Sequence, residues 1–261
     1  MTGGLVPMVN IKDWVKGMSS TEKLYLVDSY LRECSSVLLD FVCERGSRYY
    51  VVLDRSIFHP RGGGQPCDTG WLVGEDFRFS VKKVLDVNGV LVHYGRIVDG
   101  EMPSRGSLVK CILDWDRRYR IMRLHTAGHV IDYAVNRVYG HVVETLDALH
   151  GPPKPYIVYN ESPPSENDLR RIEALANQVV MEKHPVEIYF ASRDELEDKV
   201  IGAPNIDRLP YADKYRIVSI KGVNAIPCTG THVRNTGEIG RIIIHGVEVL
   251  DRGFKLFYDV S

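Results

Sequence analysis

Two histidines one helical turn apart, His125 and His129, lie about a hundred residues ahead of a Cys228-Thr-Gly-Thr-His232 segment. Spacing of i and i+4 sets both imidazoles on one helix face, where two nitrogens can converge on one ion. A cysteine and a histidine from a distant loop complete a tetrahedral N/S shell, a donor set that suits zinc better than magnesium or calcium. A His-x-x-x-His pair alone is more often an ordinary helix surface. The Gly/Thr-rich setting of Cys228 and His232 turns it into a candidate site. A fold that uses all four must return a loop to the face of a helix formed much earlier in the chain.

The chain is long enough for one large domain or two modest ones, at 261 residues. Before the helix, short β-type runs at Ser36–Cys43, Tyr49–Asp54, Gly70–Leu72, Phe77–Val87, Leu91–His93 and Leu108–Leu113 are punctuated by turn signals at Arg45-Gly46, Asn88-Gly89 and Asp99-Gly100. Closely spaced strands of this kind predict a small antiparallel barrel. Apolar residues at helical spacing then predict a long helix over Arg117–Tyr139, with Asp116 as N-cap and Gly140 just past its end. A second helix, capped by Ser165, runs to about Lys183, and a short charged one covers Ser192–Val200. Strands are expected at Tyr156–Tyr159, ahead of the second helix, and after it at Val186–Phe190, Tyr215–Ile220, Gly240–His245 and Phe254–Val260. The expected class is α+β: an extension over 1–17, a glycine-motif barrel domain over 18–114, and a two-layer domain over 115–261 with helices on an antiparallel sheet. Met18 would serve as a start as well as Met1.

Composition narrows the class further. With 44% hydrophobic residues, 26% charged and a formal net charge of −1, global charge does not announce nucleic acid. No run approaches a membrane span and no secretory leader stands out, so a cytoplasmic protein is expected. Five irregularly spaced cysteines argue against a disulfide framework.

Two more motifs carry chemistry. Gly62, Gly63 and Gly64 precede Gln65 and Asp68, and a run without side chains can lie against a ligand or form a loose hairpin loop. No Gly-Lys-Ser/Thr follows, so it is not a phosphate-binding P-loop. Arg117, Arg118, Arg120 and Arg123 crowd the start of the histidine helix, where they can meet phosphates or form a solvated face. Gly128, in mid-helix, costs about 1 kcal/mol relative to alanine and implies a packing or access reason.

Taken together, the motifs resemble the alanyl-tRNA editing family, the freestanding AlaX-type proteins related to the editing domain of alanyl-tRNA synthetase. The resemblance rests on Gly62-Gly63-Gly64-Gln65 with Asp68 and Gly70, on Arg123-Leu-His-Thr-Ala-Gly-His129, and on Pro227-Cys-Thr-Gly-Thr-His-Val233 running to Gly240. It implies a zinc-dependent hydrolase that deacylates tRNA(Ala) mischarged with serine or glycine, with His125, His129, Cys228 and His232 holding the metal. Gln65, Asp68 and the glycines would shape the pocket, Thr145 would bond the serine hydroxyl, and the four arginines would hold the tRNA. A tRNA-binding module with a structural zinc, and editing of seryl-tRNA(Thr), are the alternatives. The chain departs from the family pattern at Gly128, where relatives are bulkier, and at Thr229, where glycine is common.

Overall fold

The computed structural model describes residues 9–261, so the first eight residues of the expected extension lie outside the described residues. The chain separates into two compact units. One runs to Gly62 and resumes over Cys67–Arg118, and the other is made of Gly63–Pro66 and Tyr119–Ser261.

Six strands form the barrel of the first unit: β1 (Glu33–Arg45), β2 (Arg48–Leu53), β3 (Gly70–Gly74), β4 (Phe77–Val87), β5 (Val90–Gly100) and β6 (Leu108–Leu113). They close in the order β1-β2-β5-β4-β3-β6, all antiparallel. Closure leaves no edge strand exposed. The interior is filled by Leu38, Val51, Leu53, Leu72, Phe79, Val81 and Leu91, each fully buried. Asn88 and Gly89 make the two-residue turn between β4 and β5, both at positive φ (52° and 89°), as a twisted hairpin requires. β5 extends well past the predicted Leu91–His93 because it pairs along the whole of β4. Glycine and charged residues in its second half hide that from a hydrophobicity pattern.

Asp68 and Arg118 knot this unit from within. The Arg118 guanidinium donates to Asp68 at 3.0 and 2.5 Å, to the Ser29 carbonyl at 2.9 Å and to the Ile57 carbonyl at 2.6 Å. Asp68 also accepts the His59 amide at 2.5 Å. Gly70 is required beside it, since a Cβ there would fall 2.2 Å from the Ile112 carbonyl.

The second unit is built on α1 (Trp115–Tyr139) and α2 (Glu166–Glu182). The first turn of α1 is fastened by Asp114 rather than by Asp116, its carboxylate accepting the Arg117 amide at 3.3 Å and its carbonyl the Arg118 amide at 3.0 Å. Ser165 caps α2 as expected, and Lys183 ends it in the left-handed conformation. Strands β7 (Thr145–Leu149), β8 (Tyr156–Tyr159), β12 (Ile242–Val249) and β13 (Phe254–Val260) form one antiparallel sheet, ordered β12-β13-β8-β7. A second has β9 (Val186–Ala191), β10 (Tyr215–Ile220) and β11 (Asn224–Pro227) in sequence order. β7 and β11 escaped the sequence reading: one is mixed in polarity and the other is four residues long. The charged helix shortens to Leu196–Lys199. Among the described residues no helix is long and apolar enough to cross a membrane.

Candidate metal centre

Two elements of the second unit converge. α1 supplies His125 and His129 from one face, and the turn after β11 supplies Cys228 and His232. One donor atom of each lies within 4.8 Å of all the others. The Cys228 Sγ is 3.6 Å from His125 Nε2 and 3.4 Å from His232 Nε2. Zinc–donor bonds of about 2.0–2.3 Å around a tetrahedral centre separate donors by roughly 3.5 Å, so the spacing suits that ion.

The ring orientations are set from behind. Gln65 Oε1 accepts the His125 Nδ1–H at 2.8 Å and the Thr231 amide at 2.9 Å, while its Nε2 donates to Thr231 Oγ1 at 3.0 Å. The Thr126 hydroxyl donates to the Met122 carbonyl at 2.9 Å and so accepts from His232 Nδ1 at 3.1 Å. Both rings are left with Nε2 as a lone pair turned toward Cys228, the tautomer a metal ligand needs. Asn224 donates to the His129 carbonyl at 2.8 Å. The His129 Nδ1 is enclosed without a hydrogen-bond partner, an orphaned nitrogen that a cation would satisfy.

Burial governs the titration of two of the four donors. Burial pushes the Cys228 thiol up, against the Gly230 amide and the Arg216 guanidinium, which pull it down. Burial first, then His150 and Arg216, hold His129 down at about 3, so its imidazole is neutral. Arg216 reaches the carbonyls of Cys228 and Gly230 at 2.6 and 2.9 Å and fixes the loop. Gly230 cannot be larger, because a Cβ would fall 2.1 Å from His125 Cε1.

The remaining expected site residues divide. Gly64 lies against His150 and Ala148, and Gly63 faces Thr229 with a Cβ position 4.0 Å from its Oγ1, whereas Gly62 faces open space. Gln65 is buried and spends its amide on His125 and Thr231. Asp68 and Arg118 belong to the first unit's internal ion pair, and at 1% and 0% side-chain exposure neither the pocket role expected of Asp68 nor the phosphate contact expected of Arg118 fits them. Arg117, Arg120 and Arg123 are half-buried and bond the Cys67 carbonyl, Asp259 with the Val260 carbonyl, and the Ile239 carbonyl with the Ser261 backbone oxygen. Thr145 pairs with Tyr159, and its hydroxyl is enclosed without a partner. A groove of about 900 Å³ along α2 and β12, bordered by Glu173, Asn177, Met181 and Ile244, includes none of the cluster.

The sequence reading missed His150. Its ring stacks on His125 at 4.5 Å with 14° between planes, and its Nδ1 lies 2.7 Å from the Tyr258 hydroxyl. Burial lowers it to about 4. The signal was Gly128, where a Cβ would fall 2.5 Å from His150 Cε1.

Comparison with known proteins gives two family matches. Residues 37–117 match the class II (A) tRNA synthetases, and residues 215–251 match the second additional domain of threonyl and alanyl tRNA synthetases. An alanyl-tRNA editing protein AlaX-M of Methanosarcina acetivorans is 37% identical over 91% of this chain and 98% of its own length. The AlaX-M protein of Methanosarcina barkeri is 37% identical over 84% of this chain and 90% of its own. The alanine–tRNA ligase of Methanoregula boonei is also 37% identical, over 92% of this chain, which spans only 26% of that longer enzyme.

Proposed function

Since the chain belongs to the AlaX family of alanyl-tRNA editing proteins, we propose that it is a zinc-dependent deacylase that clears serine, or glycine, from mischarged tRNA(Ala) in the cytoplasm. The observation that carries this reading is the convergence of His125, His129, Cys228 and His232, with the ring nitrogens of His125 and His232 turned inward by Gln65 and Thr126. In the reaction, water adds to the ester carbonyl carbon and the ribose oxygen leaves with a proton, releasing the amino acid and the free tRNA. When bound, zinc would supply a Lewis acid and an anchor for the aminoacyl group or a water. The second site is needed because an alanine-sized pocket discriminates weakly against one added hydroxyl or one missing methyl.

The protein's own groups divide the work. Gln65 and Thr126 hold the ligand rings in the required tautomer, and Arg216 holds the loop that carries Cys228. The Gly63–Gly64 backbone and the face of β7 bearing Thr145 would border the aminoacyl group. Arg117, Arg120 and Arg123 would offer their remaining N–H groups to the acceptor-end phosphates.

The test is deacylation of seryl-tRNA(Ala) beside alanyl-tRNA(Ala) and seryl-tRNA(Ser), with and without zinc. Release from the first substrate alone, lost on chelation, is the expected result. No release from any of them with zinc fully bound would leave a tRNA-binding module with a structural metal.

A further inference from the structure

His150 sits where no metal ligand is needed, yet the surroundings hold it on three sides. Its backbone amide donates to the Gly64 carbonyl at 2.7 Å, and its ring lies flat on His125. Two glycines make the space. A Cβ on Gly128 would fall 2.6 Å from His150 Nδ1, and one on Gly64 would fall 2.9 Å from its Cδ2. Placing a glycine in mid-helix costs about 1 kcal/mol relative to alanine, so the ring occupies room opened at a cost in stability.

The hydrogen bonds assign its tautomer. The Tyr258 hydroxyl has one proton and donates it to the Leu124 carbonyl at 3.0 Å. Toward His150 Nδ1, 2.7 Å away, it therefore accepts. The ring proton is on Nδ1, which leaves Nε2 as a lone pair of fixed direction. Among the described residues Nε2 makes no hydrogen bond and is not one of the fully enclosed orphan atoms, and His150 keeps 7% of its surface open. A neutral acceptor is thus presented beside the face of His125.

Thr145, five residues earlier at the start of β7, pairs with Tyr159, beyond the bulge that follows the Val158–Asp147 pair. His150, by contrast, stacks directly on His125.

We propose that His150 is the specificity-determining residue of this centre, its Nε2 accepting a hydrogen bond from the hydroxyl of the seryl group. The inference rests on the deacylase reading and names the side chain that makes its choice. A seryl hydroxyl can satisfy the lone pair, whereas an alanyl methyl displaces water from it and offers no donor. Gly128 and His150 act as a pair, since the absence of a side chain at residue 128 is what admits the ring.

The test compares wild type with His150→Phe, which keeps a stacked ring but has no acceptor, and His150→Gln, which restores one. The serine-over-alanine ratio of kcat/KM should fall roughly 10- to 100-fold in His150→Phe, the loss of one desolvated hydrogen bond. It should recover in part in His150→Gln, with zinc content unchanged in both. Tyr258→Phe should lower the ratio less, by freeing the tautomer. An unchanged ratio in soluble, zinc-loaded His150→Phe would overturn the proposal and make the ring a mere wall for His125. Binding of non-hydrolysable 3′-amide analogues of seryl- and alanyl-adenosine separates the two readings. If wild type hydrolyses nothing, the deacylase reading fails; a preference for the seryl analogue that His150→Phe abolishes would still assign the hydroxyl contact to His150. Equal binding of the two analogues by wild type refutes His150 as the selector.

Discussion

Replacing Gln65 by alanine should weaken metal binding before it changes which amino acid is released. In the sequence Gln65 reads as a pocket residue. In the structure its carbonyl oxygen accepts from His125 Nδ1 and from the Thr231 amide, and its amide nitrogen donates to Thr231 Oγ1, at 2.8, 2.9 and 3.0 Å. Alanine strips the buried His125 N–H and Thr231 N–H of their acceptor, at about 1–3 kcal/mol for each buried group left unsatisfied. It also frees His125 to rotate or to exchange tautomers. Loss of such an outer partner typically costs 10- to 100-fold in metal affinity, about 1.4–2.8 kcal/mol. Competition for zinc against a chromophoric chelator measures this directly. Gln65→Glu keeps an acceptor for His125 and should stay near wild type, while Gln65→Ala should shift the zinc Kd by at least tenfold. A Kd within twofold of wild type, paired with an altered serine-to-alanine ratio, would refute the reasoning and return Gln65 to the pocket.

Other expectations test separate parts of the molecule. Gly230→Ala drives a Cβ to 2.1 Å from His125 Cε1, so zinc content should collapse while the barrel unit keeps its melting transition, as calorimetry and metal analysis would show. Arg118→Met leaves the Asp68 carboxylate buried without its partner and should cost about 3–5 kcal/mol, read by urea unfolding. The double replacement Arg118→Met with Asp68→Leu should recover much of that loss. Chelation should lower the melting temperature of the second unit, the lost stabilisation amounting to about 2.7 kcal/mol when the zinc had stood at a hundredfold over its Kd.

How far these features were legible in sequence depends on what kind of signal each leaves. The barrel strands announce themselves because Asn88-Gly89 and Asp99-Gly100 mark turns and the runs between them are apolar. α1 is clear because Ile121, Leu124, Ile131 and Ala134 recur on one face, all buried. The four candidate donors were visible because a His-x-x-x-His pair and a Gly/Thr-rich Cys-x-x-x-His segment stand in one chain, where either alone would be ordinary. What was hidden depends on contacts between distant residues. Nothing near Gln65 reveals that it lies against His125, sixty residues on. Arg118 looks like its neighbours in a basic run until Asp68, Ser29 and Ile57 are seen around it. His150 follows a short strand of mixed polarity, and only the misplaced glycine at 128 hinted that something needed its space.

Two buried titrating groups set opposite pH dependences in the two units. His93, in the barrel, bonds Ser56 at 2.8 Å and the Val51 carbonyl at 3.2 Å, and burial lowers it from 6.5 to about 4. Its folded value lies below the unfolded one, so its contribution is fully present above pH 6.5 and is lost as pH falls toward 4, to a limit of about 3 kcal/mol. Asp132, one turn beyond His129 on α1, goes the other way: burial raises it from 3.8 to about 7, against the hydrogen bond that Tyr159 donates at 2.6 Å. Its folded form holds the proton longer than the unfolded chain does, so stability is present at acid pH and falls as pH rises from 3.8 to about 7. The full shift corresponds to about 4 kcal/mol, and partial solvent access to the carboxyl reduces this to roughly 2. Across the same acid range the two effects oppose each other, which flattens the stability of the whole chain and hides both. Single variants expose them. His93→Gln should remove the acid loss from the first unit's transition, and Asp132→Asn should stabilise the second at pH 8 while changing it little at pH 4. An Asp132→Asn variant no more stable than wild type at pH 8 would show that the carboxylate is ionised in the native state without cost, with Tyr159 and solvent offsetting its burial.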